Sequence, residues 1–286
     1  MERRQDKMKN IFYGLNCVIA SICITLSPFL DSSILASAAP LVTQQNKFTQ
    51  PDFAQHFRDL GVKGSILIYD LERDRTYQHN PERNVTPFLP ASTFKVLNSL
   101  IALETGVIDN ELSILTWDGV ERSIPAWNRD LNMQTAIQVS AVWFYQVLAR
   151  RIGYERMQQW IAKVGYGNQA IGEADDIDTF WLTGDLRITP HQQIQFLRRL
   201  HKNELPFSDD AIATVKNIMI VERTPDYTMR AKTGWASESQ IGWYVGYVEQ
   251  DDNTYFFATN INIRDEADLS TRAAVTRQSL KSLKVL

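Results

Sequence analysis

Three short stretches of the chain carry side chains that could do chemistry together. Ser92-Thr93-Phe94-Lys95 sets a hydroxyl three residues before an amine, where an apolar helical pattern (Phe94, Val96, Leu97, Leu100, Ile101, Leu103) begins. Residues i and i+3 share a helix face with Cβ atoms roughly 5–6 Å apart, so the two groups can touch, and a hydroxyl beside an amine is an activated-nucleophile arrangement. Ser140-Ala141-Val142 lies in a stretch, 132–152, that reads as one helix with a stripe of Ala136, Val139, Trp143, Val147 and Leu148. A serine in such a stripe is ordinarily a small residue bonded to the carbonyl four back. Lys232-Thr233-Gly234 ends a strand. Its glycine admits a close approach by another backbone or a ligand, and its lysine is either a fixed positive charge at a site or a plain edge-strand lysine before a turn. Each stretch is weak alone, since Ser-x-x-Lys arises by chance about once in a chain this long.

These residues need a frame to hold them. A short helix is predicted over 48–60, with Phe53, Phe57 and Leu60 on one side, then a buried strand over 65–69 and a hairpin through Arg73-Asp74-Arg75 into Thr76-Tyr77. The Ser92 helix ends near Gly106. The middle is helical: 132–152, then 154–164 stopping at Gly165, then 192–200 behind the Thr189-Pro190 cap. From Tyr227 the period changes to two, predicting strands over 227–233, 241–249 and 255–261 joined by short antiparallel turns, and 271–283 closes the chain as a helix. Strands at both ends with helices between predict an α/β fold of the α+β type. One antiparallel sheet is built from the N- and C-terminal segments, and a helical lobe of roughly 86–185 is inserted into it.

Composition narrows the function. At 286 residues, 44% hydrophobic and 22% charged, the chain has the interior of an ordinary globular protein. Arg3, Arg4, Lys7 and Lys9 precede an apolar run over 11–26 and then Ala36-Ser37-Ala38, the order of a secretory signal peptide, with Met8 as an alternative start. A retained anchor is the other reading of that run, although it is short and interrupted by Asn16. Cys17 and Cys23 both fall inside it, and neither follows the small residues that lipidation needs. Cleavage after Ala38 leaves residues 39–286 as a single domain without cysteine, exported to the periplasm yet held by packing alone. The leader carries net +1, so the mature charge is −4 and no basic stripe suggests nucleic acid. His56, His79, His191 and His201 are scattered and form no zinc motif, so no metal is expected.

The three stretches occur in one order, with a single Ser-x-x-Lys and a single Lys-Thr-Gly in the chain. Ser-x-x-Lys, a serine triplet and Lys-Thr-Gly form the motif set of serine β-lactamases and penicillin-binding proteins, whose middle triplet is Ser-Asp-Asn. Here that triplet is Ser-Ala-Val, and Tyr166-Gly167-Asn168 follows, which as a bare tripeptide is a turn after a helix. With Trp181 and the run from Lys232 through Ile241-Gly242-Trp243-Tyr244-Val245-Gly246-Tyr247, the set resembles the class D (oxacillinase-type) serine β-lactamases over essentially the whole mature chain.

The resemblance implies a β-lactamase/transpeptidase-like fold and hydrolysis of β-lactams through an acyl-serine, conferring antibiotic resistance. Ser92 is the nucleophile. Lys95, in a pocket of Phe94, Val142 and Trp181, becomes carboxylated by carbon dioxide and serves as general base, with Trp181 donating its indole N–H to the carbamate and Val142 keeping the pocket dry. No Glu-x-x-Leu-Asn element offers the dedicated glutamate of class A enzymes. Ser140 relays a proton to the lactam nitrogen, and Lys232 with Thr233 holds the substrate's carboxylate side. The backbone N–H groups of Ser92 and Trp235, beside Gly234, form the oxyanion hole. Arg272, with Arg264 as a rival, binds the carboxylate, while Tyr166, Gly167 and Asn168 support the helical lobe. No cofactor is implied beyond carbon dioxide or bicarbonate, and no partner beyond the β-lactam in a monomer or homodimer, free of the membrane after cleavage. Penicillins, oxacillin-type compounds, cephalosporins and carbapenems differ by pocket changes worth about 1–3 kcal/mol. A D,D-peptidase and a stably acylated β-lactam sensor share the motifs and stay open as alternatives.

Overall fold

A computed structural model describes residues 51–286, and the leader read over 1–38 lies outside them. Asp52 caps α1 (Phe53–Asp59) by accepting from the Ala54 N–H, and Phe53 and Phe57 are its buried face. β1 (Gly64–Asp70) and β2 (Arg75–His79) form the expected hairpin, followed by a single turn, α2 (Pro81–Asn84). The Ser92 segment begins as a 3-10 turn over Ala91–Phe94 and runs on into α3 (Lys95–Glu104).

A two-residue ribbon, β3 (Ile114–Leu115) with β4 (Leu131–Asn132), introduces α4 (Met133–Gln138). Then come α5 (Val142–Ile152), α6 (Tyr154–Val164), stopped by Gly165 in the left-handed region, and α7 (Pro190–His201). Thr189 and Gln192 close a reciprocal capping box at the start of α7, as the Thr-Pro signal predicts. Besides the short α2 and the β3–β4 ribbon, α8 (Asp209–Ile218) and the short edge strand β5 (Ile220–Arg223) go unread in the sequence. β6 (Thr228–Ala236), β7 (Ile241–Glu249), β8 (Thr254–Asn262) and α9 (Thr271–Ser282) complete the chain.

The sheet order is β2-β1-β8-β7-β6-β5, antiparallel throughout, so strands from both ends of the domain meet at the β1–β8 pair. Two apolar cores lie on its two faces. One joins α1 and α9 to Ile66, Ile68, Tyr244, Val248 and Phe257; the other joins the helical segment and α7 to Leu67, Trp243, Val245, Tyr247 and Phe256. Covering both faces explains why β7 is buried at every position but its last, an almost unbroken apolar run with only a faint alternation. The site forms where the helical segment meets β6.

Candidate active site

The turn that carries Ser92 is built under strain and braced from three sides. Ala91 is fully buried at φ +47°, a backbone region that side chains other than glycine seldom occupy, and it aims the following Ser92 out of the 3-10 turn. Thr93 Oγ1 donates to Pro90 O at 2.7 Å and accepts from Gln193 Nε2 of α7 at 2.8 Å. Trp243 Nε1 donates to Leu89 O at 2.8 Å. The turn also lies directly on β6, where a Cβ on Gly234 would stand 3.0 Å from Pro90 O and 3.1 Å from Thr93 Cγ2. A side chain there would push the turn and the strand a few tenths of an ångström apart, which glycine avoids.

Ser92 is 9% exposed and Lys95 is wholly buried beneath it, its Nζ 2.6 Å from Ser92 Oγ. Nζ also donates to Ser140 O at 2.9 Å and Ser140 Oγ at 3.2 Å, and lies 5.7 Å from the centre of the Tyr145 ring. Burial, and secondarily the charge of Lys232, holds the Lys95 ammonium well below the usual lysine range. Both causes favour the neutral amine, the state in which it can take a proton from the hydroxyl.

Ser140 does not lie inside a continuous helix, and the reading of 132–152 as one helix is corrected here. α4 ends in a Schellman turn: the Ala141 N–H reaches Ala136 O at 2.9 Å and the Ser140 N–H reaches Ile137 O at 3.3 Å. Ser140 takes the left-handed position of that turn at φ +56°, where glycine is the usual occupant. The break swings its hydroxyl between the two lysines, because Lys232 Nζ donates to Ser140 Oγ at 2.9 Å. Two indoles steady the turn, Trp127 Nε1 donating to Val139 O at 2.8 Å and Trp143 Nε1 to Trp127 O at 2.9 Å. Val142, the first residue of α5, is half-buried and lies two residues beyond the Ser140 hydroxyl.

Lys232 is 4% exposed on β6, its ammonium brought down to about 7 by burial first and the charge of Arg272 second. It also reaches Thr233 Oγ1 at 3.3 Å. Arg272 joins the same strand from α9, Nη1 donating to Gly234 O at 2.6 Å, while Arg264 is an exposed side chain clasped by Asp268 at 2.7 Å. Of the two arginines, geometry places Arg272 at the site. Trp235 is 37% exposed at the lip, one of the few large apolar side chains left open to solvent.

Trp181 is fully buried and stacked on Phe94, ring centroids 5.3 Å apart, with Phe180 edge-on to both. Its Nε1 is buried without a protein partner. The segment bearing it is pinned by Asn168, whose Nδ2 donates to Asp185 O at 2.9 Å and whose Oδ1 accepts from the Arg187 N–H at 2.9 Å. Gly167 sits at φ +57° with Arg187 O only 2.1 Å from where a Cβ would be, so no other residue fits. Tyr166 lies edge-on to Phe94 at 5.7 Å. The triplet therefore touches the cluster through its packing and contributes no polar contact to Ser92 or Lys95.

Gln193 and Tyr145 go unread in the sequence. Gln193 had a signal, an amide on the Leu197–Leu200 stripe of α7 that is 1% exposed and so must have a partner. Tyr145 had none, because an aromatic in an apolar helix usually means core.

Two serines and two amines converging under a strained turn, with a glycine-permitted strand alongside, define a serine acyl-transfer domain. Residues 63–281 match the family model of the penicillin-binding protein transpeptidase domain. β-Lactamase OXA-48 of Klebsiella pneumoniae is 40% identical over 261 residues, 90% of this chain and 96% of that protein. β-Lactamase OXA-10 of Pseudomonas aeruginosa is 42% identical over 258 residues, 88% and 93% of the two chains. The crystal structure of the class D β-lactamase YbXI from Nostoc superposes with a TM-score of 0.81 at 58% identity, covering 82% of this chain and 99% of that one. The chain belongs to the class D β-lactamases.

Proposed function

We propose that this protein hydrolyses β-lactams through an acyl-enzyme on Ser92, with Lys95 serving both half-reactions. The observation that carries this is the wholly buried Lys95 amine, held 2.6 Å from Ser92 Oγ, with no carboxylate among the described residues paired to it. As Oγ attacks the lactam carbonyl, the base carried on Lys95 takes the hydroxyl proton. Ser140 Oγ, in contact with both lysines, is placed to pass a proton to the lactam nitrogen as the C–N bond breaks. Lys232, Thr233 and Arg272 supply positive charge and a hydroxyl for the substrate's carboxylate, a good use of a planar guanidinium. The N–H groups of Ser92 and Trp235 stabilise the developing oxyanion, a contribution usually worth about 3–4 kcal/mol per donor.

Deacylation needs a base for water. The residues present fit a carboxylated Nζ: burial disfavours the Lys95 ammonium, and Trp181, stacked on the adjoining Phe94, has a buried N–H without an acceptor. Carboxylation by carbon dioxide, with loss of one Nζ proton, would supply an anionic carbamate oxygen as the base at this position in both half-reactions. Lys232, within reach of the same Ser140 hydroxyl, offers the balancing positive charge. Purified mature protein is expected to turn over nitrocefin many times per enzyme, with a gain on adding bicarbonate to buffer depleted of carbon dioxide. A single stoichiometric burst would instead identify a sensor or a D,D-peptidase. Trp181→Phe keeps an aromatic ring and deletes the N–H. It is expected to lose the carbamate signal in ¹³C NMR with the fold intact, and unchanged occupancy would return Trp181 to core packing alone.

The leader read over 1–38 favours export and a periplasmic site of action. N-terminal sequencing of the exported protein should begin at Ala39; a retained leader would point to the anchor reading.

A further inference from the structure

A second cluster of polar atoms is buried on the sheet, two strands from Gly234 and away from the lysines. Ser65 of β1 and Asn260 of β8 stand directly opposite each other, both fully buried, and cross-strand partners share a face. Arg83 of α2 reaches them, donating Nε–H to Asn260 Oδ1 at 2.7 Å. That bond fixes the carboxamide, since exchanging its ends would set two donors against each other. Arg83 Nη2, Asn260 Nδ2 and Ser65 Oγ are then buried without a protein partner. No carboxylate among the described residues pairs with Arg83, and its guanidinium rests on the Phe88 ring at 4.7 Å. Burial alone lowers it to about 10.

We infer that Arg83, Asn260 and Ser65 form a binding site for a small monovalent anion of halide size. The Ser65–Asn260 register and the Arg83–Asn260 bond bring three donors to one place, and one of them belongs to a half-buried cation with no carboxylate partner among the described residues. A water could accept from two of them and would leave the guanidinium charge unbalanced, whereas an anion answers all three donors and the charge. A fourth buried atom without a protein partner, Asn84 Oδ1, is an acceptor that a water beside the anion can serve. The site has a structural consequence for the nucleophile. Phe88, under Arg83, pairs through its backbone with Ile188 and meets Trp243 edge-on at 6.1 Å, and Trp243 holds Leu89 O. An anion that fixes Arg83 fixes the strand of chain that leads into Ser92.

Crystals of the mature protein soaked in bromide, measured at the bromine absorption edge, should show an anomalous peak within hydrogen-bonding distance of Arg83 Nη2 and Asn260 Nδ2. In solution the melting temperature should rise by about 4 °C or more from gluconate to chloride at equal ionic strength. Arg83→Met should lose that rise. Asn260→Asp, which supplies a built-in negative charge, should fold and melt independently of the anion, so the test survives if Arg83→Met does not fold. A water in place of bromide, or a wild-type rise retained in either variant, overturns the site. A bromide peak without any effect on melting marks an adventitious ion only and overturns it too.

Discussion

Lys95→Ala is expected to end turnover and to leave acylated enzyme behind. The amine lies within 2.6 Å of Ser92 Oγ and within 3.2 Å of Ser140 Oγ, so both proton transfers of acylation pass next to it. A positioned general base contributes typically about 10²–10⁴-fold to a step. With the same base serving the attacking water, the loss applies to deacylation again. A penicillin that still reacts should stay on Ser92, visible by mass spectrometry as an adduct of the whole substrate mass, because opening its ring releases no leaving group. Truncation also opens a void beneath Ser92, so Lys95→Met, which keeps most of the volume, is the control for packing. Both variants should bind covalently and fail to turn over. Normal turnover by either would remove Lys95 from the mechanism.

What the sequence makes legible here follows from how local each signal is. Lys95 three residues after Ser92 is a local fact, and the 3-10 turn running into α3 leaves the i, i+3 contact in place. The runs after Tyr227 identify β6 to β8 because the strands are long and joined by short turns, although covering both sheet faces leaves the alternation of β7 faint. Ser140 is different. The stripe Ala136, Trp143, Val147 keeps its spacing through the Schellman turn, so periodicity reads straight across a break that only the backbone reveals. β5 is short, half-exposed and irregular in register, leaving no apolar alternation to detect. The bracing of the Ser92 turn joins Thr93 to Gln193 and Leu89 to Trp243 across 100 and 154 positions. Such contacts have no sequence period, although a buried amide on an apolar stripe announces that a partner exists. Arg83 and Asn260, 177 residues apart, carry no such sign until the sheet brings them together.

The Ser140 turn separates stability from catalysis in one residue. At φ +56° a side chain bears a left-handed penalty of about 1 kcal/mol that glycine avoids, so Ser140→Gly should be more stable than Ser140→Ala by about that amount. Both variants delete the hydroxyl that takes hydrogen bonds from Lys95 and Lys232, and neither amine is stranded. Lys95 keeps Ser140 O at 2.9 Å and Lys232 keeps Thr233 O at 3.2 Å. Both should therefore fold, and both should lose kcat by about 10²-fold or more if the hydroxyl carries the proton to the lactam nitrogen. Thermal melts and nitrocefin kinetics on the two variants check the two halves separately. A glycine variant that melts below the alanine one would sink the strain argument, and wild-type kcat in either would take the relay away from Ser140. The natural serine then makes sense as a residue kept at a glycine position for its hydroxyl, with part of the fold's stability given up for a proton path between two buried amines.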